Sequence, residues 1–357
     1  MNDQLAGRNL PNPLVKPNGE MISDSLAWLE NRSAVKDMLC EHEYGHLPQR
    51  PDHLAVEVIS TDEDYCASKA VYKKIRLVLT LNQSVFSFPV DYVVPKNGRK
   101  HKAIVLINFR GGIPDKYLPS EEICDNGFAV ASFCYEDVTS DDGDFTNGVC
   151  RQWFPDGKRR GDAAGKIAVW AWAAMCVMDF LLMQEEVDPL NIAVAGHSRL
   201  GKTALLAAAM DERFSHAWAN NSGCCGAALS RGKAGETIER ITKVFPHWFC
   251  PNFARYACHE QDLPFDQHAL LALIAPRHLY VASAEEDLWA DPASEFLSCV
   301  AASDAYRLFN LAGLKHGDAF PIPGTSLHEG SIGYHIRNGS HYLSRYDWHE
   351  FMKYMSR

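Results

Sequence analysis

The stretch Gly196-His197-Ser198-Arg199-Leu200-Gly201 sets a serine between glycines. A short apolar run, Ile192–Ala195, precedes it, and the helical stretch Leu200–Met210 follows at once. On a sharp strand-to-helix turn a serine hydroxyl is exposed. The helix N-terminus then offers free N–H groups and a positive dipole end to any oxyanion formed beside it. That is the chemistry of nucleophilic acyl transfer. The spacing departs from G-x-S-x-G, because Leu200 stands at the second glycine's place and Gly201 comes one residue later. The competing reading of Ser198 is a helix N-cap. A serine nucleophile needs a base, and the base needs an orienting acid. In a strand-turn-helix site of this kind the acid should follow the serine and the histidine should come last. Glu285-Glu286-Asp287 follows the apolar run Leu279–Ala284 and supplies the acid candidates. His341 lies in the loop Asn338-Gly339-Ser340-His341, just ahead of a final helical stretch, and is the favoured base. His316, His328 and His335 compete with it.

These residues need a scaffold. Asp24–Glu43 has helical spacing, with Leu26, Trp28, Leu29, Val35, Met38 and Leu39 among charges, and stops near Gly45 and Pro48. His53–Ser60, Ala70–Leu81 and Val85–Pro95 alternate apolar and polar residues, as half-buried antiparallel strands do. From residue 102 the texture changes. Ala103–Asn108, Phe128–Cys134, Ile192–Ala195, His216–Ala219, Leu279–Ala282 and Tyr306–Leu311 are short apolar runs. Helical stretches separate them, notably Gly165–Gln184, Leu200–Met210 and Ser294–Ala302, and Tyr346–Arg357 closes the chain as a helix. Buried strands alternating with helices predict an α/β fold with a mostly parallel central sheet. With the serine turn, that is an α/β-hydrolase, a three-layer sandwich whose antiparallel N-terminal strands form one edge. The whole chain, 1–357, is expected to be one domain, with 1–23 irregular.

Composition narrows the function. The 357 residues carry 45 acidic and 35 basic side chains, a formal charge of −10. A nucleic-acid partner is not expected of a chain without a clustered basic surplus. The longest uncharged apolar stretch, Ile167–Met178, is too short to span a bilayer, so no membrane partner is expected. The N-terminus has neither a basic start nor a signal-length apolar run. Eleven irregularly spaced cysteines argue against a disulfide framework. The expectation is a cytoplasmic protein, or a secreted one if a leader was removed. No metal site stands out: Cys224-Cys225 is adjacent rather than spaced as ligands, and His335 and His341, six apart on an expected loop, have no clear third ligand. The glycine pair in Asn108-Phe109-Arg110-Gly111-Gly112, after the first parallel strand, suits a loop that lends a second oxyanion N–H.

Gly196-His197-Ser198-Arg199-Leu200-Gly201-Lys202 resembles the G-x-S-R-x-G-K motif of the glucuronoyl esterases, carbohydrate esterase family 15. Further segments resemble the family in order: Ser222-Gly223-Cys224, Gly235-Glu236-Thr237, Phe245-Pro246-His247-Trp248-Phe249, and Leu263 to His268. Ala272 to Arg277, Asp287 to Pro292 and Tyr334-His335-Ile336-Arg337 complete the likeness, which runs from about Trp28 to Trp348 and leans to the bacterial branch. The resemblance implies an esterase of 4-O-methyl-glucuronate esters with a Ser198–His341–Asp287 triad and no cofactor. It implies that Arg199 helps hold the oxyanion, and that Lys202, Glu236 and Trp289 hold the sugar. Its partner is then a small carbohydrate ester. Fungal members carry the triad acid directly before the Ser-Gly pair, where this chain has Asn221, so the acid must come from elsewhere; Asp287 matches the bacterial position. Glu286 and Glu285 remain alternatives. His197 is expected to pack, or else to join the oxyanion region. The competing functions are a carbohydrate acetyl esterase, such as an acetyl-xylan esterase, and a non-catalytic carbohydrate-binding hydrolase fold.

Overall fold

The computed structural model describes residues 2–16 and 18–357. Ten strands form one sheet: β1 His53–Asp64, β2 Ala70–Leu81, β3 Ser84–Pro95, β4 His101–Asn108, β5 Phe128–Cys134, β6 Val187–His197, β7 His216–Asn220, β8 His278–Ala284, β9 Thr325–Leu327 and β10 Ile332–Arg337. Their order is β1-β2-β3-β5-β4-β6-β7-β8-β10-β9. The six strands from β5 to β10 in that order are mutually parallel. β1, β2 and β3 are joined antiparallel at one edge, as their alternating pattern predicts, and short β9 closes the other.

The parallel strands are apolar on both faces because helices cover both. Along β4, Ala103, Val105 and Ile107 enter one core layer, while Ile104 and Leu106 enter the other. On the first side lie the helices Lys166–Leu181 and Arg199–Met210; the former is buried along almost its whole length. On the second side the helix Arg345–Met355 packs through Trp348, Phe351 and Met352. This is the α/β-hydrolase arrangement. None of the eleven cysteines is disulfide-bonded, and all but Cys66 and Cys258 are buried. Among the described residues no helix is long and apolar enough to cross a membrane.

Three expectations need correction. Tyr306–Leu311 is not a strand: Tyr306 and Arg307 end the helix Pro292–Arg307, and of the run that follows Leu308 and Phe309 pack partly buried against the core that holds Tyr306. Ile332–Arg337 and the short Thr325–Leu327 are strands absent from that reading, so His335 lies on β10 and not on a loop. The segment before residue 24 is not wholly irregular, since Asn2–Ala6 is helical and Val15 bridges to Met21.

The turn from β6 into its helix tolerates no side chain at Gly196. A Cβ there would lie 2.1 Å from the Leu200 carbonyl oxygen and 2.4 Å from its carbon. Backbone so placed cannot swing aside. Gly196→Ala is therefore expected to lower unfolding free energy by about 2 kcal/mol or more, read from the urea midpoint. A midpoint equal to the wild type's would mean that the turn has room it is not expected to have.

Candidate active site

The site is assembled at the carboxyl ends of neighbouring strands, where open α/β sheets bind ligands. β6 delivers Ser198, β7 delivers Asn221, β8 delivers Asp287 and β10 leads to His341. The ladder continues past the strands. Ser198 N–H donates to the Asn220 carbonyl at 2.9 Å, Asn221 N–H to Ala282 at 2.7 Å, and Glu286 N–H to Gly339 at 3.1 Å. The four loops are thereby fixed to one another.

Ser198 holds φ 58° and ψ −127°, outside the favoured regions for an L-residue. Its hydroxyl makes no capping hydrogen bond although it precedes the helix Arg199–Met210. The N-cap reading is thus overturned: the backbone is strained and the hydroxyl is left free. Arg199 opens the helix, so its N–H is one of those without an intrahelical acceptor.

Asp287 is buried, and its Oδ2 accepts from His341 Nδ1 at 2.6 Å and from Asn221 Nδ2 at 2.9 Å. Its Oδ1 accepts from Ala290 N–H at 3.3 Å. Burial pushes the carboxyl up, but the hydrogen bond and charge of His341, with the amide of Asn221, outweigh it and hold the group below the usual carboxylate range. Glu285 and Glu286 are exposed and do not line the Ser198 cavity. Because Nδ1 of His341 faces the carboxylate, its proton sits there and Nε2 is left to accept. The His341 side chain is 42% exposed. Its loop is tied down by Arg337, which donates to the carbonyls of Asn338, Ser340 and Tyr342 and to Asp347.

The other histidines are engaged elsewhere. His335 is buried between Asp347 and the Tyr280 hydroxyl, His328 lies beside Tyr280 and Glu350, and His316 bonds to Gly317 O. His197 packs: its Nδ1 donates to Asn220 at 2.6 Å, and its ring lies 4.5 Å from that of His341. Burial, and then the nearby His341, push His197 down to about 3, so it stays neutral beside the base.

Ser198, Arg199, Lys202, Glu236, Asp287, Trp289 and His341 all line one cavity of about 360 Å³. Asn221, Phe245 and Trp248 line it too. Lys202 is buried and donates to the Ser222 carbonyl. Glu236 is held by its backbone, whose N–H donates to the Trp289 carbonyl at 3.0 Å. Trp289 is 52% exposed, so it is a wall of the cavity and not ordinary core. Two larger cavities, of about 470 and 490 Å³, contain neither Ser198 nor His341.

The loop Asn108–Gly112 departs from expectation. Phe109 N–H already donates to the Asn108 side chain and Gly112 N–H to Asp91, and none of these residues lines the cavity. What the loop contributes is the Phe109 ring, 5.7 Å from the Arg199 guanidinium. Asp141 and Arg337 belong to the surroundings of the site, and the sequence does not single them out as contributors; Asn221, read there only as a missing acid, lines the cavity and donates to Asp287. Asp141 accepts from Arg199, and no feature of its acidic loop sets it apart in the sequence.

A model of fungal glucuronyl esterases matches residues 78–310, more than half of the chain. A carbohydrate esterase from an unknown prokaryotic organism is 31% identical, covering 98% of this chain and 90% of that protein. The 4-O-methyl-glucuronoyl methylesterase of Podospora anserina is 28% identical over 78% of this chain, which spans 56% of its length. The solved glucuronoyl esterase from Solibacter usitatus superposes with a TM-score of 0.91 at 31% identity, covering 98% of this chain and 97% of that one.

A carboxyl whose folded pKa lies below its unfolded value stabilises the fold above the unfolded value and loses that contribution as pH falls through the folded one. Asp287 is such a group. Urea unfolding of Asp287→Asn across a pH series is expected to show a shallower loss of stability below about pH 4 than the wild type shows. Parallel curves would contradict the hydrogen-bonded, ionised Asp287.

Proposed function

Because the chain belongs to the glucuronoyl esterases of carbohydrate esterase family 15, and so is an ester hydrolase, we propose that Ser198, His341 and Asp287 cleave esters of (4-O-methyl-)glucuronate through an acyl-enzyme. Ser198 Oγ attacks the uronate carbonyl carbon as His341 Nε2 takes its proton. Asp287, hydrogen-bonded to Nδ1 at 2.6 Å, fixes the ring and stabilises the imidazolium. The oxyanion is met by the Arg199 N–H and guanidinium. His341 then gives its proton to the leaving alcohol. Water, deprotonated by the same nitrogen, attacks the acyl carbon and releases the uronate. Lys202 and Glu236 bind sugar hydroxyls, and Trp289 offers a flat apolar face to the ring. Residues 1–357 act as one hydrolase domain in this scheme.

The observation that carries the reading is a convergence. A free serine on a strained turn, a histidine backed by a buried carboxylate, and a lysine, a glutamate and an exposed tryptophan share one cavity of about 360 Å³. An acetyl esterase needs the first three but not the last three. A binding module needs neither a strained serine nor a carboxylate at the histidine. Asn221, which stands where the fungal members carry their acid, donates to Asp287 and so supports a working acid on the neighbouring strand end.

Steady-state hydrolysis of methyl glucuronate and of an acetylated sugar distinguishes the readings. The glucuronate ester is expected to be the better substrate by kcat/KM. Ser198→Ala is expected to lower its kcat by about 10⁴-fold or more. Lys202→Ala is expected to raise KM for the glucuronate ester and to leave acetate hydrolysis little changed. Acetate as the better substrate, or full turnover by Ser198→Ala, would overturn the proposal.

A further inference from the structure

We propose that Asp141 is a positioning residue for this hydrolysis, holding the Arg199 guanidinium at the mouth of the Ser198 pocket; the inference rests on Arg199 serving the oxyanion. Asp141 lies in the loop after β5, far from Ser198 in sequence. Arg199 Nη1 donates to its Oδ2, and the Tyr135 hydroxyl donates to the same oxygen at 3.1 Å. Oδ1 accepts from His247 Nε2 at 3.0 Å and Trp248 Nε1 at 2.6 Å. Each carboxylate oxygen therefore has two donors, and the group has no freedom to turn.

The carboxylate is also firmly ionised. Burial opposes the charge, but His247, Trp248, Arg199 and Tyr135 outweigh it and hold Asp141 down to about 2. Its loop is anchored in turn. Asn147 Oδ1 accepts from Thr139 Oγ1 at 3.0 Å and from Ser140 N–H at 3.1 Å, and buried Lys166 donates to Thr139 Oγ1 and the Asp144 carbonyl, both at 2.7 Å.

Three rings complete the cage. The guanidinium carbon lies 4.7 Å from the Trp248 ring, 5.5 Å from Phe245 and 5.7 Å from Phe109. A free arginine side chain has much rotamer freedom to lose. Here that freedom is removed before substrate arrives, and a donor fixed in advance stabilises developing charge most effectively. The oxyanion exists only in the transition state and the intermediates near it, so displacing the guanidinium should lower kcat and spare KM.

The test is a double-mutant cycle on methyl glucuronate hydrolysis, with kcat expressed per site labelled by a fluorophosphonate so that misfolded protein drops out. Arg199→Ala is expected to lower kcat by about 100-fold, the scale of one oxyanion donor. Asp141→Asn is expected to lower kcat by about 10-fold with KM changed by less than about 2-fold, since small misplacements are costly at a reacting centre. The double variant should match Arg199→Ala alone. Trp248→Phe, which keeps an aromatic ring and deletes one donor to Asp141, guards against loss of folding. It should lower kcat by about 3-fold, and should have no effect once Arg199 is gone. If Asp141→Asn or Trp248→Phe lowers kcat by the same factor in the Arg199→Ala background, the proposal is overturned and the oxyanion reading survives. If Arg199→Ala leaves kcat unchanged, the oxyanion reading itself fails.

Discussion

The backbone at Ser198 stands at φ 58°, ψ −127°, a conformation that costs an L-residue of order 1–3 kcal/mol. The surroundings impose it. β6 must end and a helix must begin within one residue, and the Leu200 carbonyl fills the space beside Gly196 where a Cβ would go. The Ser198 N–H is fastened to Asn220 on the neighbouring strand, so the turn cannot relax by sliding. The hydroxyl consequently makes no bond to the helix it precedes, and Ser198 lines the cavity. The other groups of the site are positioned relative to that point.

The sheet sets those positions. Four neighbouring parallel strands end at one level, and hydrogen bonds between their loops extend the ladder beyond them. Asp287 profits most from this. It sits one strand further along the sheet than Asn221, and the amide there does not replace the acid but donates to it. The pairing leaves one oxygen of Asp287 with two side-chain donors and keeps the buried carboxylate ionised. A buried carboxylate without such donors would rise in pKa and lose the charge a protonated histidine needs. A carboxylate at the end of β8 can therefore face His341 and stay ionised because the end of β7 supplies a donor.

Much of this was legible in the chain because it depends on local order. The run from Ile192 into Gly196 and the helix after it place Ser198 on a strand-to-helix turn, and the structure has that turn. The strands β4 to β8 were readable because both faces are apolar. The failures have a common cause in partners brought from afar. β10 holds His335 and Arg337, polar residues that look like loop until Asp347 and Tyr280 are known to satisfy them inside the core. Tyr306–Leu311 is apolar for the sake of a helix end. Asp141 shares its loop with Asp142 and Asp144, and only the convergence of Tyr135, Arg199, His247 and Trp248 singles it out. Asn221 read as a loss of charge because its neighbour in space was not its neighbour in sequence.

The account turns on Ser198 being the nucleophile of the cavity that holds the sugar. Its most direct test is labelling with a fluorophosphonate followed by peptide mass spectrometry. One adduct per chain is expected, on the peptide carrying Ser198, and its formation should slow when free glucuronate occupies the cavity. An adduct at another residue, or ester hydrolysis undiminished after Ser198 is fully labelled, would contradict the account.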